Sequence, residues 1–376
     1  MNKSVQHFDI ALIGAGIAGA SVASSLAGQR SVILLERESQ PGYHTTGRSA
    51  AVYAPFYGPR PVRALTRAAH AFFNNPPDGF SNYPLLKPLD AMFLAREDQL
   101  SKLEAMQSEL AVVDSVRRIG SDELEARIPI LRKGYAVGAL LDTATSEIDV
   151  AALHQGFLRL FRWQGGILQT HSEVKALQRR KGYWEIETSQ GVINAPIVVN
   201  ASGAWADVIG QMAGAEEIGL KPLRRTALMI DPPAGFVPEG LPLMIDIEEQ
   251  FYLKPDAGKL LISPANEDLD VPCDVQPDEL DIAICVDRIE RAFEIDVQRI
   301  DSSWAGLRSF VSDKTPVAGF SKQVEGFYWL AGQEGYGIQT SPTLADYAAA
   351  EIMGQPFPQY ILDEGLEPAE LMSGRF

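Results

Sequence analysis

An α/β fold of the Rossmann type is predicted by three segments of this 376-residue chain. Residues 8–13 read as a short buried strand, Gly14-Ala15-Gly16-Ile17-Ala18-Gly19 follows at once, and a small-residue helix runs through Ala20, Ser21, Ala23 and Ser24. Residues 32–35 are a second apolar strand ending in Glu36. Later, residues 195–200 form a third strand that runs into Ala201-Ser202-Gly203, and residues 326–331 form a fourth that runs into a second glycine loop, 332–340, ahead of a helix over about 341–353.

Each piece of the first unit has a physical task. Gly14 permits a tight turn, Gly16 lets backbone approach a pyrophosphate, and Gly19 lets helix and strand pack closely. The helix N-terminus supplies amide donors and positive dipole to phosphates. Glu36 stands about 20 residues on, where a carboxylate accepts from ribose hydroxyls. Strand, glycines, helix, strand and acid in this order point to a dinucleotide. The motif alone does not choose between NAD and FAD. The second glycine loop favours the flavin, whose ring also has to be positioned.

The bulk composition narrows the remaining classes. Hydrophobic residues are 46% of the chain, ample for a large core, and the length favours two domains. Net charge is −16, from 33 basic and 49 acidic residues, a poor match to nucleic acid. Cys273 and Cys285 are too few for a disulfide framework or metal cluster. His44, His70, His154 and His171 show no metal spacing, and His154 reads as a helix-face residue. Residues 1–8 carry no apolar signal region, and the run over 10–20 is glycine-broken and too short to span a bilayer. The expectation is a cytoplasmic protein without stable membrane insertion, with room for loose attachment to a membrane surface.

The sequence resembles the FAD-dependent D-amino acid oxidase superfamily, and within it the D-arginine dehydrogenase branch. The resemblance is carried by Glu36-Arg37-Glu38, Gln40-Pro41-Gly42-Tyr43-His44, Thr46-Gly47-Arg48-Ser49-Ala50-Ala51, Phe72-Phe73, Asn75-Pro76-Pro77 and Leu153-His154-Gln155-Gly156. It continues through residues 251–258, 304–310 and 335–340. It implies a Rossmann-type FAD-binding domain (1–84, 142–220 and 311–376) interleaved with a mixed antiparallel-sheet substrate domain (85–141 and 221–310). Strands over 248–253, 259–263 and 297–304, a helix over 277–293 and a Pro-rich loop over 231–242 are read in the second part.

The same resemblance implies a non-covalent FAD held by Gly14, Gly16, Ala18, Gly19, Glu36, Arg37, His44, Thr45, Thr46, Gly47, Arg48, Ser49 and Ala50. Val174, Ala201 and Gly203 join them, with Gly335, Tyr336, Gly337, Ile338 and Gln339 at the flavin edge. The implied reaction is hydride transfer from the substrate Cα to flavin N5, with oxygen or a quinone-like acceptor taking the electrons. Arg225 and Arg308 are candidates for the substrate carboxylate, because a guanidinium binds it bidentately. Tyr252 and Tyr57 can hydrogen-bond the same group while excluding water, and the Gly335 carbonyl can accept from the amine. Arg224, next to Arg225, can be confused with it from sequence alone.

Two departures bear on the substrate. Val52 stands where the D-arginine branch carries histidine, and Ala91 where it carries a glutamate that pairs with a cationic side chain. Asp90 is one residue earlier, hence on the other face of a strand. The expectation is a shift toward neutral or apolar side chains, with kcat/KM for D-leucine, D-methionine or D-phenylalanine above that for D-arginine. Relatives that attach flavin covalently use a cysteine near the C-terminal flavin loop, and none follows Cys285 here. Heat or acid is therefore expected to release intact FAD into the supernatant, and flavin fluorescence on the denatured chain would contradict this.

Overall fold

The computed structural model describes residues 5–376. A six-stranded sheet carries the nucleotide motif, in the order Ile167–Gln169, Val32–Leu35, Ile10–Ile13, Ile197–Asn200, Phe327–Ala331 and Val317–Phe320. The first five strands are parallel and the last is antiparallel. Every residue of Ile10–Ile13 and Val32–Leu35 is buried, as strands covered on both faces require. Alternation sends Ile10, Leu12, Val32 and Leu34 into one core with the helices Ile17–Ala27, Val150–Trp163 and Gly337–Ile352. Ala11, Ile13, Ile33 and Leu35 face a second core with Val174, Leu177, Trp184 and Ile186 of a four-stranded sheet.

The first strand is shorter than the sequence suggests. The Phe8 amide donates to the Asn194 carbonyl at 3.0 Å, so the chain leaves the four-stranded sheet there and joins the parallel ladder only at Ile10. Asp9 anchors the crossing by accepting from the Ser31 amide (2.8 Å) and hydroxyl (2.7 Å). The C-terminal helix, in contrast, starts earlier than expected, at Gly337. Pro342 lies inside it and has no N–H to give the Ile338 carbonyl. The Ser341 hydroxyl donates to that carbonyl instead, at 2.9 Å.

A nine-stranded sheet built from strands between residues 91–142 and 221–310 stands beside the first. It is antiparallel except where Leu243–Asp246 runs parallel to Ala91–Ala95. Residues 248–250 are a turn rather than the start of a strand. Asp246 causes this, since its carboxylate accepts from the Glu248 amide at 2.9 Å and bends the backbone back. The strand proper is Tyr252–Asp256. The last long strand is displaced from the expected 297–304 to Ile300–Phe310 and carries Arg308 well inside the ladder. The helix Glu279–Ala292 is capped by Asp278, whose carboxylate accepts from Leu280 N at 2.8 Å.

Candidate active site

The first glycine loop is shaped by close approach. Gly14 has φ +100°, and a Cβ there would lie 2.5 Å from the Ala201 carbonyl oxygen; one on Gly19 would lie 1.9 Å from the Gly14 oxygen. Glu36 is buried beneath the loop, where Oε2 accepts from Ala15 N and Oε1 from Glu38 N, both at 3.0 Å. One lone pair of each oxygen is thus committed to the backbone. His154 lies on the helix Val150–Trp163, as expected, and is buried there with Nε2 2.9 Å from the Ala15 carbonyl. Burial lowers its pKa, and a carbonyl only accepts, so the neutral ring donates from Nε2 and braces the loop from below. Spacing gave no signal of this role.

The segment 42–51 fastens the two sheets together. Thr46 Oγ1 accepts from Ile17 N at 3.0 Å, on the first turn of the helix. Thr45 Oγ1 donates to the Leu307 carbonyl at 2.7 Å, and Arg48 Nη1 donates to the carbonyls of Val275 and Ala305, each at 2.9 Å. Trp304 returns a bond from Nε1 to the Arg48 carbonyl at 3.0 Å. Arg37 and His44 share Glu38, at 2.8 and 2.9 Å, and the Arg37 guanidinium lies 4.0 Å from the Trp205 ring centre.

The two arginines singled out for a carboxylate meet on one face. Arg225 pairs in register with Gly306 and Leu223 with Arg308, so Arg225 and Arg308 are diagonal neighbours on adjacent strands. Arg225 is 9% exposed, donates from Nε to the Asn266 carbonyl (2.8 Å) and pairs with Glu267 (2.9 Å). Burial, and then the neighbouring Arg308 charge, push its pKa down to about 10. Arg224 points to the opposite face, where Asp281 (2.9 Å), Asp270 (3.1 Å) and Asp268 (3.8 Å) surround it. Strand alternation therefore separates the roles that adjacent positions left ambiguous.

Arg308 lies against Gly335, where a Cβ would fall 2.8 Å from Nη1. The Tyr57 ring is 5.8 Å from Tyr336 and 6.0 Å from Phe93, and its hydroxyl hydrogen-bonds Glu249. Burial, then Glu249, hold the phenol well above its usual pKa, so it stays a neutral donor.

One open cleft collects most of these groups. Tyr57, Arg225, Tyr252, Arg308 and Gly335 line it, as do Gly16, Ala18, Thr45, Thr46, Arg48, Ser49, Ala50, Ala201, Gly203, Tyr336, Gly337, Ile338 and Gln339. Gly14, Gly19 and Glu36 support its floor from behind. Arg37, His44 and Gly47 lie off its wall, and Val174 belongs to the core beneath the parallel sheet. Glu249, Glu334, Asp142 and Lys254 also line the cleft, and sequence reasoning missed all four. Among the described residues no group of His, Cys, Asp and Glu is arranged to hold a metal ion, and no helix is long and apolar enough to cross a membrane.

The family described as DAO, FAD dependent oxidoreductase, matches residues 9–351. The chain belongs to it. Among DAO-family relatives, glycine oxidase of Bacillus licheniformis is 22% identical over 93% of this chain and 94% of its own. Mouse mitochondrial dimethylglycine dehydrogenase is 26% identical over 58% of this chain, which spans only 27% of that enzyme's length. The solved glycine oxidase of Geobacillus kaustophilus superposes with a TM-score of 0.83 at 20% identity, over 94% of this chain and 96% of its own. Iminodiacetate oxidase of Chelativorans sp. BNC1 superposes at 0.77 and 21% identity, over 93% and 96%.

FAD is the cofactor of this DAO-family chain, and the residues present suit it. Gln333 Nε2 and Glu334 Oε1 are buried in the second glycine loop without a protein partner. Buried polar groups require one, and the polar edge of an isoalloxazine ring offers both acceptors and a donor. The Gly337–Ile352 helix begins at the same place, and Gly337, Ile338 and Gln339 of its first turn line the cleft; the first amides of a helix have no partner within it.

Proposed function

We propose that this chain catalyses the FAD-dependent oxidative deamination of a D-amino acid, giving an imino acid that hydrolyses to a 2-keto acid and ammonia. The observation that carries this reading is the pair Arg225 and Arg308 on one sheet face, beside Tyr252 and against Gly335. Bound FAD supplies a hydride acceptor at N5. Arg308 and Tyr252 hold the α-carboxylate, which fixes the Cα relative to the second glycine loop. The Gly335 carbonyl accepts from the amine, so a neutral amine needs no side-chain base. Tyr57 and Tyr336 close the site against water. Residues 1–84, 142–220 and 311–376 serve the cofactor, and residues 85–141 and 221–310 the substrate.

The relatives support an amine next to a carboxylate, since glycine, dimethylglycine and iminodiacetate all have that unit. They also favour a second reading, oxidation of glycine or an N-methyl amino acid. The D-configuration rests on the resemblance to the D-arginine dehydrogenase branch.

The test is anaerobic mixing of the FAD-loaded protein with separate D- and L-amino acids, glycine, sarcosine and 2-hydroxy acids, read by visible absorbance. Bleaching by D-amino acids alone is the expected result. Bleaching only by glycine or sarcosine selects the second reading, and bleaching only by hydroxy acids defeats both.

A further inference from the structure

The cleft does not end at the carboxylate site. Tyr252 pairs with Ile245, Ile245 with Phe93, and Phe93 with Leu140. Two residues along the same face, Leu243 pairs with Ala91, Ala91 with Asp142, and Asp142 with Val116. Residues paired in register present side chains to the same face of a sheet, and all of these line the cleft. Met106 and Leu110, at the end of the helix Leu100–Glu109, line it as well. The result is an apolar chamber that crosses three strand spacings from Tyr252 to Asp142, about 14 Å at ~4.8 Å each.

Two carboxylates line this part of the cleft: Glu249, which accepts from the Tyr57 hydroxyl at the Tyr252 end, and Asp142 at the far end, which no cation neutralises among the described residues. Asp142 is 5% exposed. Its Oδ1 accepts from Ser115 Oγ and from Ala144 N, each at 2.9 Å, and both of these hydrogen bonds fall on that oxygen. No cation pairs with it among the described residues. Lys254 is taken by Glu147 and Asp256, and the nearby acid Asp90 is turned away toward Arg127 at 3.7 Å. Burial, and then Asp90, raise the Asp142 pKa. A buried carboxylate is costly without a counter-charge.

We propose that Asp142 is the anchor for a cationic nitrogen at the end of a long, otherwise apolar substrate side chain. This rests on the deamination reading above and names its substrate class: an amino acid whose stem of several carbons ends in an ammonium or guanidinium group. The acid stands beside Ala91 on the adjoining strand. Ala91 therefore does not by itself make the chamber neutral, and the preference runs opposite to the one its sequence position suggests.

The test compares near-isosteric pairs on the FAD-loaded enzyme: D-arginine with D-citrulline, D-homoarginine with D-homocitrulline, and D-lysine with D-norleucine. The cationic member of each pair is expected to have the higher kcat/KM, by about ten- to a hundredfold and mainly through KM, the range of a hydrogen bond to a charged group. Asp142→Asn keeps an acceptor at Oδ1 and is expected to bring that ratio close to one. Neutral members that match or beat the cationic ones in the wild type would overturn the proposal without the variant, and so would an unchanged ratio in Asp142→Asn. If no amino acid reduces the flavin, the deamination reading fails. The same pairs are then titrated as ligands by the shift in flavin absorbance, and absence of tighter cationic binding overturns this proposal separately.

Discussion

Replacing Arg308 by methionine is expected to lower kcat/KM for amino acid substrates roughly a thousandfold, a loss in the range found when one partner of a buried charge pair is truncated. Arg308 lies against Gly335, so on the proposed reading its guanidinium would both bind the carboxylate and set the substrate's distance from the second glycine loop. Arg308→Lys keeps the charge but loses the planar fork, and only part of the activity is expected to return. The flavin-to-protein absorbance ratio should be unchanged in both variants. Arg225→Met is expected to cost less, because Asn266 and Glu267 already occupy part of that guanidinium. A loss below tenfold for Arg308→Met would remove Arg308 from the carboxylate site.

The second large effect is on stability, through Glu334. This residue is 8% exposed, has φ +53°, and its Oε1 is buried without a partner. Burial pushes its carboxyl from 4.5 up to about 8; the Lys314 charge opposes this, and Glu267 reinforces it. The folded state therefore binds the proton more tightly than the unfolded chain does. The stability this contributes is complete below pH 4.5 and is lost as pH rises through 8. The loss has a limiting slope of about 1.4 kcal/mol per pH unit and a total of roughly 5 kcal/mol. Urea midpoints of the FAD-stripped wild type, in which Glu334 has no partner, should fall between pH 5 and pH 9. Glu334→Gly, which also relieves the left-handed backbone, should flatten that fall and raise the midpoint at pH 9. Equal slopes in the two proteins would show that Glu334 is not the titrating group.

The Rossmann-type half of the molecule was legible in the sequence because its signals are local. Gly14, Gly16 and Gly19 follow a strand directly, and Glu36 ends the next one, so spacing alone located the tight loop and its close backbone approaches. The nine-stranded half depends on register between strands far apart in the chain. The adjacency of Arg225 to Arg308 and of Asp142 to Ala91 comes from pairing across 83 and 51 positions of sequence (308 − 225 and 142 − 91), which no periodicity encodes. Strand limits failed where one side chain redirected the backbone, as Asp246 does before Tyr252. His154 lies on a helix, as expected, but its contact with the Ala15 carbonyl was not legible, because a buried histidine beneath a glycine loop has the same helical spacing as one facing solvent.

The parallel sheet has a consequence for how the protein is made. Ile10–Ile13 and Val32–Leu35 are synthesised before the other strands of the sheet, but Ile197–Asn200 gains its second neighbour only when Phe327–Ala331 emerges, more than a hundred residues later. Until then one edge of the sheet is open and the second glycine loop does not exist. A cofactor that needs both glycine loops is therefore loaded late in biosynthesis, and the nascent chain passes through a long interval with an unpaired strand edge in which Ile197, Val198 and Val199 are apolar. Slower translation or holdase chaperones acting in that interval should raise the yield of yellow, soluble protein more than added riboflavin does.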